Sequence, residues 1–451
     1  MCRVPIGGTP VERTALLGLV SLRKNRLGAT HGWKHPAPVR EDTRRWIEAD
    51  KRHAWHPFTP QGPWTDPGHE PLVIVRGEGP WLWDSEGRRY LDGNSSIWTN
   101  IHGHAHPAIN AAITAQLGEI AHSSYLGSAN PRACELAERL CGVFPPGTLD
   151  RVFFSDDGST AIEVAMKMSL QYRMQTGEPE RTRFAAFADG YHGDTMGAAA
   201  LGGVSRFFER FRRFGPEVDF VESIDRLDPD VLNAVVIEPL IQGVNEMRPW
   251  PDGMLAELRA WCDRHGVLLI LDEVMTGFGR TGTMFACQRE DVIPDFLCLA
   301  KGLSGGYLPL AATLTTGRVY DAFLGGPENA FYYGHSYTAN PAACAAALAS
   351  LDLFESERTL ERLPAKVERL AELLEELRDR HEEVIDVRQR GLIAGIELRE
   401  GLGAMACLKA RDHGLLTRPI RDTVVLMPPL CVGADQLDHA VGAIRKALMG
   451  S

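Results

Sequence analysis

One lysine, several carboxylates and a few small or aromatic residues occur in a chain order that suits a lysine-bound electron-sink cofactor. Lys301 follows the apolar run Asp295–Ala300 within Cys-Leu-Ala-Lys-Gly-Leu-Ser-Gly-Gly, and its amine could form a Schiff base. Asp272 closes the apolar run Val267–Asp272, where a carboxylate could sit against a ring nitrogen and keep it protonated. Gly158-Ser159 stands just ahead of a helical pattern, and a helix N-terminus with small hydroxyl residues binds phosphate. Tyr191, in Gly-Tyr-His-Gly-Asp, offers an aromatic face to a ring. Each residue alone has an ordinary reading. Asp272 suits a turn, Lys301 suits solvent, Gly-Ser suits a helix cap, and Tyr191 suits the core. Their joint occurrence is the signal.

These residues need elements to position them. Strand-like runs at Val152–Ser155, Phe184–Ala188, Ala234–Glu238, Val267–Asp272, Asp295–Ala300 and Leu310–Thr315 alternate with helical patterns at Thr160–Gln175, Asp252–His265 and Ala339–Phe354. Such alternation predicts an α/β fold with a mainly parallel sheet flanked by helices. Ligands bind such sheets at the carboxyl ends of strands. The turn at 158–159, the Tyr191 loop, Glu238, Asp272 and Lys301 all follow such ends. Earlier come short strands at 72–75 and 81–84 and helices at Pro107–Leu117 and 132–143. Glu355–His381 reads as one long amphipathic helix, followed by strands Val384–Arg388 and Gly395–Leu398 and a helix near 404–413. The expected organisation is an extension at 1–40, then 41–100 as the first part of a small α+β domain. A large cofactor-binding domain at 101–355 follows, and 356–451 completes the small domain.

The chain has 451 residues, 44% of them hydrophobic and 24% charged, which suits a globular protein and excludes collagen-like or wholly disordered structure. A formal net charge of −11 disfavours nucleic acid as a partner. No apolar run approaches the ~20 residues that span a bilayer, so no membrane role is expected. Ala15–Leu22 is a short apolar stretch broken by Gly18 and Ser21, a poor secretory signal. The nine cysteines include no Cys-x-x-Cys pair, so a disulfide framework or structural zinc is not expected, and a reducing cytoplasm fits. Two motifs are set aside. Gly277-Phe278-Gly279-Arg280-Thr281-Gly282 matches a dinucleotide fingerprint but lacks its strand–turn–helix setting. His102, His104 and His106 alternate, but Pro107 opens a helix and no carboxylate or cysteine joins them in sequence, so no metal is expected.

The motifs together resemble the class III pyridoxal-phosphate aminotransferases, from about Trp55 to the end of the chain. The marks are Trp55-His56-Pro57-Phe58-Thr59, Asp92-Gly93-Asn94-Ser95-Ser96-Ile97-Trp98, Ile101-His102-Gly103-His104 and Gly190-Tyr191-His192-Gly193-Asp194-Thr195. To these are added Asp272-Glu273 through Gly277-Phe278-Gly279-Arg280-Thr281-Gly282, Lys301, Gly334-His335-Ser336-Tyr337-Thr338 and Thr417-Arg418-Pro419. Within the family the chain is similar to members that aminate 8-amino-7-oxononanoate to 7,8-diaminononanoate in the biotin pathway. The resemblance implies fold type I and pyridoxal 5'-phosphate. It implies Lys301 as the Schiff-base lysine and proton carrier, Asp272 on the pyridinium nitrogen, and Tyr191 beside the ring. Gly158 and Ser159 would cradle the phosphate, with Ser336 of a second subunit completing the cradle in a homodimer. His192, Glu238 and Gln242 would lie near the cofactor, and Asp194 would support the Tyr191 loop. Phe58, Trp98, Tyr191, Gly334 and Arg418 would meet the substrate, Arg418 gripping a carboxylate.

The sequence departs from the family pattern in places. Phe58 stands where members that use S-adenosylmethionine carry Tyr, Ile97 where they carry Trp, and His335-Ser336 where they carry Pro-Thr. Losing a phenol and an indole removes a hydrogen bond and a stacking surface for a sulfonium donor. These departures resemble members that use L-lysine. Asp157 stands where Ser is common and is expected to point away from a phosphate, and the stretch from Asp194 to Glu238 is shorter than the family pattern.

Overall fold

The computed structural model describes residues 39–449; the extension at 1–38, including Ala15–Leu22, lies outside them. Its centre is a seven-stranded sheet in the spatial order Leu149–Ser155, Ala311–Thr316, Phe296–Leu299, Leu268–Asp272, Leu232–Ile237, Arg183–Phe187 and Val218–Val221. Ala311–Thr316 runs antiparallel to both neighbours, and the other pairings are parallel. Leu268–Asp272 and Leu232–Ile237 are buried along their whole length, the pattern of strands covered on both faces. Helix Gly158–Gln175 packs on one face through Ala161, Ile162, Ala165 and Met166. On the other, Leu255, Leu258 and Cys262 of helix Met254–His265 join the main core.

The two ends of the chain meet in a four-stranded sheet, where Leu415 and Leu416 pair in parallel with Leu91 and Asp92. A second four-stranded sheet is built from Val384–Arg390, Ile393–Leu398, Thr423–Leu426 and Pro419–Ile420. Helix Ala434–Met449, for which the sequence reading had no counterpart, packs on helices Thr359–Arg380 and Gly403–Asp412.

The expected helix over 355–381 is Thr359–Arg380; Glu355 and Ser356 instead close the preceding helix Pro341–Ser356, and Arg358 at φ 52° separates the two. The stretch 195–237 is not a plain loop. It holds helices Met196–Ala200 and Ser205–Arg212 and the edge strand Val218–Val221.

The least ordinary backbone lies just past strand Arg89–Asp92. Ser95, Ser96, Ile97 and Trp98 all have φ between 46° and 68°. Trp98 N–H donates to Asn94 O at 2.8 Å and Thr99 N–H to Ser95 O at 2.9 Å, so these residues close a left-handed helical turn. Each L-residue there costs ~1–2 kcal/mol, on the order of 4–8 kcal/mol for four, which surrounding contacts must offset.

Candidate active site

The carboxyl ends of the central strands open on a cavity of about 430 Å3. Lys301, Asp272, Glu238, His192, Tyr191, Gly158 and Ser159 all line it, together with Trp98. Residues separated by more than a hundred positions are brought together because neighbouring parallel strands end at one edge of the sheet.

Lys301 follows strand Phe296–Leu299 with φ 41°, and it is half-buried in the cavity wall. Its Nζ lies 4.7 Å from the centroid of the Trp98 ring. Burial lowers the amine's pKa to about 8, while Asp272 and Glu238 oppose the shift. The fold therefore supplies a lysine that can be neutral near physiological pH.

Asp272 caps its strand with a carboxylate bound on both oxygens. Oδ2 lies 2.8 Å from His192 Nδ1, and Oδ1 accepts from Val274 N at 3.1 Å. Burial alone disfavours charge on His192, but the adjacent Asp272 and then Glu238 outweigh it and raise its pKa. Glu238 accepts from Tyr191 N at 3.1 Å and Gly243 N at 2.9 Å, which ties the Tyr191 loop to the next strand end. Burial, against the opposing charge of His192 and with that of Asp272, pushes the Glu238 carboxyl up to about 7. Tyr191 donates to Asp194 Oδ2 at 2.6 Å, and burial raises its phenol further. Gln242 donates to Ala188 O at 2.8 Å and so braces the backbone before that loop.

The helix beginning at Gly158 leaves its first N–H groups free of intrahelical acceptors. Gly158 is needed there, because a Cβ would stand 2.6 Å from Val274 Cγ1. Ser159 Oγ accepts from Asp194 N at 3.0 Å. Asp157 lines the cavity rim, where it was expected to point away, and its exposed carboxylate accepts from Thr160 N at 2.9 Å in a capping box.

Four further candidates do not line the cavity of the single chain. Gly334 and Ser336 lie in an exposed segment, where Ser336 O accepts from His122 Nε2 at 2.7 Å. That segment reaches the cavity rim through His335 Nδ1, 3.5 Å from Asp156 Oδ2. Phe58 is half exposed and meets Phe207 edge-on at 5.6 Å; Phe208, next in the chain, has its ring 5.9 Å from Tyr191. Arg418 is half-buried, and burial lowers its pKa. Thr99, Met275 and the Gly306–Leu310 segment also line the cavity and were missed. The adjoining Gly-Gly-Tyr-Leu-Pro was a turn signal in the sequence, but nothing local placed it here.

The two motifs set aside have other uses. The Gly277–Gly282 run is a series of turns, and the Arg280 guanidinium donates to Pro428 O at 2.6 Å and Asn100 O at 2.7 Å. The three alternating histidines part company. His102 meets Ser350 Oγ at 3.1 Å, His104 meets Asp92 at 2.9 Å, and His106 meets Glu357 at 3.1 Å. Carboxylates do join two of them, contrary to the sequence reading, because Asp92 and Glu357 are neighbours only in the fold. Among the described residues no helix is long and apolar enough to cross a membrane.

The aminotransferase class-III profile matches residues 64–448. The adenosylmethionine-8-amino-7-oxononanoate aminotransferase of Geobacter sulfurreducens is 45% identical over 90% of this chain and 98% of its own. The crystal structure of the protein of that name from Methanocaldococcus jannaschii has a TM-score of 0.86 at 36% identity, covering 91% of this chain and 100% of that one. An amine transaminase from an uncultivated Pseudomonas species, in its PLP-bound form, has a TM-score of 0.82 at 35% identity, covering 88% and 98%. The lysine and the buried carboxylate at the strand ends thus sit in a chain matched along nearly its whole described length, and that chain belongs to the class-III aminotransferases.

Proposed function

We propose that this enzyme uses pyridoxal 5'-phosphate to transfer an amino group to the ketone of 8-amino-7-oxononanoate, giving 7,8-diaminononanoate in biotin biosynthesis. The observation that carries the reading is the half-buried Lys301 in one cavity with the Asp272–His192 pair and the helix end at Gly158. The relatives named for this reaction supply the substrate.

The residues present fit the cofactor. The buried Asp272 carboxylate suits a protonated ring nitrogen, and a helix N-terminus narrowed to glycine at 158 suits a phosphate. When bound, the cofactor supplies an electron sink for the pair released at the donor carbon. Lys301 Nζ would hold it covalently and, once released, would carry the proton between carbons, a task suited to an amine whose pKa burial has lowered. Asp272 keeps the ring nitrogen protonated, and His192 keeps that carboxylate oriented. Glu238 holds Tyr191 at the ring's side. Gly158 and Ser159 bind the phosphate, and Ser336 of a second copy completes that site in a homodimer. Arg418 takes the substrate carboxylate, while Phe58, Trp98 and Gly334 border the substrate path. The described cysteines are all free, which suits a reducing cytoplasm.

The amino donor is S-adenosylmethionine or L-lysine. Phe58 lacks the phenol and Ile97 lacks the indole that would bind the sulfonium, which supports lysine. The test mixes holoenzyme with each donor separately, follows conversion of the cofactor's absorbance, and then assays amination of 8-amino-7-oxononanoate by mass spectrometry. Conversion by lysine alone assigns donor choice to Phe58 and Ile97. Conversion by S-adenosylmethionine alone makes those substitutions neutral for donor choice. Pyruvate-dependent turnover of simple amines, with no response to 8-amino-7-oxononanoate, would overturn the reading in favour of an ω-amino acid:pyruvate aminotransferase, to which the amine transaminase likeness points.

A further inference from the structure

The left-handed turn Ser95–Trp98 is imposed on its residues, and the contacts that impose it can be traced. Asp92 is 1% exposed. Its Oδ1 accepts from Ser96 N at 3.0 Å, and its Oδ2 accepts from Ser96 Oγ at 2.8 Å. The same Oδ2 lies 2.9 Å from His104 Nε2. Neighbouring groups settle which ring nitrogen carries the proton. Asn100 Oδ1 accepts from Gly103 N at 2.7 Å, which turns the Asn100 amide nitrogen toward His104 Nδ1 at 3.3 Å. An amide donor on Nδ1 makes that nitrogen the acceptor, so Nε2–H donates to Asp92. His104 is itself pinned by backbone bonds in both directions with Gly79, at 2.7 and 3.0 Å. At the far end of the turn, Trp98 Nε1 donates to Asn94 Oδ1 at 2.8 Å, and the indole lies over Lys301. Contacts therefore run from Gly79 through His104 and Asp92 to Ser96, and the backbone of the turn carries the constraint on to Trp98, which Asn94 holds beside the reactive amine.

We infer that Asp92 and His104 are positioning residues for Lys301: they hold the left-handed turn that lays the Trp98 indole over the amine and shields that side of it from water. Neither touches the reacting atoms. The catalytic consequence rests on the transaminase reading; the effect on the amine can be measured without it. The charges that face the amine, Asp272, Glu238 and Arg280, are left unaltered by the variants below.

The first readout uses cofactor-free protein. Acylation of Lys301 by acetic anhydride is followed by peptide mass spectrometry across pH, which gives the amine's own titration. The wild-type inflection is expected near 8. His104→Ala is expected to raise it by about half a unit or more, because water returns to the amine. In the holoenzyme kcat should fall about tenfold with little change in KM, as for a misplaced rather than missing group. His104→Asn, whose amide can still donate to Asp92, should restore part of both effects. His104→Ala added to Trp98→Phe should cost little beyond Trp98→Phe alone, since both act through the indole. Ser96→Ala removes one hydroxyl from the same series of contacts and should move the inflection the same way by less; it serves if His104→Ala does not accumulate. An unchanged inflection in the variants that fold, or fully additive losses in the double variant, would overturn the inference even where the melting temperature falls. An inflection that moves as expected in a protein that aminates nothing would leave the positioning inference standing and defeat the transaminase reading instead.

Discussion

The cavity has two walls of different origin. One is made by the ends of the large sheet, where Asp272, Glu238 and Lys301 stand at the turns that close successive strands. The other is the turn Ser95–Trp98, entered from the sheet that joins the two chain ends. On the first wall positive φ angles are scattered singly, as at Lys301, and cost lies also in buried ionisable groups: Lys301 is lowered to about 8 and Glu238 raised to about 7. On the second wall the side chains are hydrogen-bonded and the cost lies in four consecutive positive φ angles. Strain at a functional site can thus be stored in charge or in backbone, and each form is sustained by a different kind of neighbour.

Substitutions on the first wall should give the largest effects. Lys301→Ala is expected to lower transamination by at least about 10^4-fold, because proton carrier and covalent anchor go together. Steady-state rates with exogenous amine excluded would check it, and retained turnover would remove Lys301 from the chemistry. Asp272→Asn should lower kcat about 10^2-fold, the scale of one preorganised electrostatic partner. It should also bring the His192 pKa down, since Asp272 is what holds it up; an NMR titration of that ring would read it.

Stability gives a sharper form of the same contrast. Lys301 titrates lower in the folded cofactor-free protein than its usual 10.5. Between those values the unfolded chain binds more protons, so stability should rise with pH from about 8 to about 10.5. Below pH 8 the full cost is present. Lys301→Met should therefore raise the melting temperature of the cofactor-free protein at pH 7, with the gain fading toward pH 10.5. A variant less stable than wild type at pH 7 would mean that the amine repays its burial through its neighbours. Smaller effects belong to the helix end. Gly158→Ala should cost ~1–3 kcal/mol by pressing on Val274, and Asp157→Ala ~1 kcal/mol through loss of the cap. Denaturant titration measures both.

The first wall was legible in the sequence and the second was not. Asp272 and Lys301 follow apolar runs, and strand ends in an α/β fold are where ligands gather, so type and position agreed. Trp98 was singled out as a wall residue, but nothing in Asn94-Ser95-Ser96-Ile97-Trp98 announces a left-handed turn, and a β-branched Ile97 argues against one. His104 was quoted as a family mark and weighed as a metal ligand, but its pairing with Asp92, twelve residues away, was not read, because no local period links the two. The boundary at Arg358 was placed a few residues early and the helix Ala434–Met449 was not read, because amphipathic period reports burial and not where an element starts or stops.

The sequence by itself determined the strand–helix alternation, the family, and the residue types gathered at the strand ends, because local periodicity and motif chemistry are written in neighbouring positions. Only the tertiary structure decided how the Trp98 indole reaches Lys301 and what holds it there. That geometry is an unfavourable backbone state maintained by Asp92, Asn94 and His104. Those three lie close in sequence, but Ser95 Oγ also donates to Met427 O at 2.7 Å and the indole meets Lys301, contacts that exist only once distant segments have been brought together beside the large sheet.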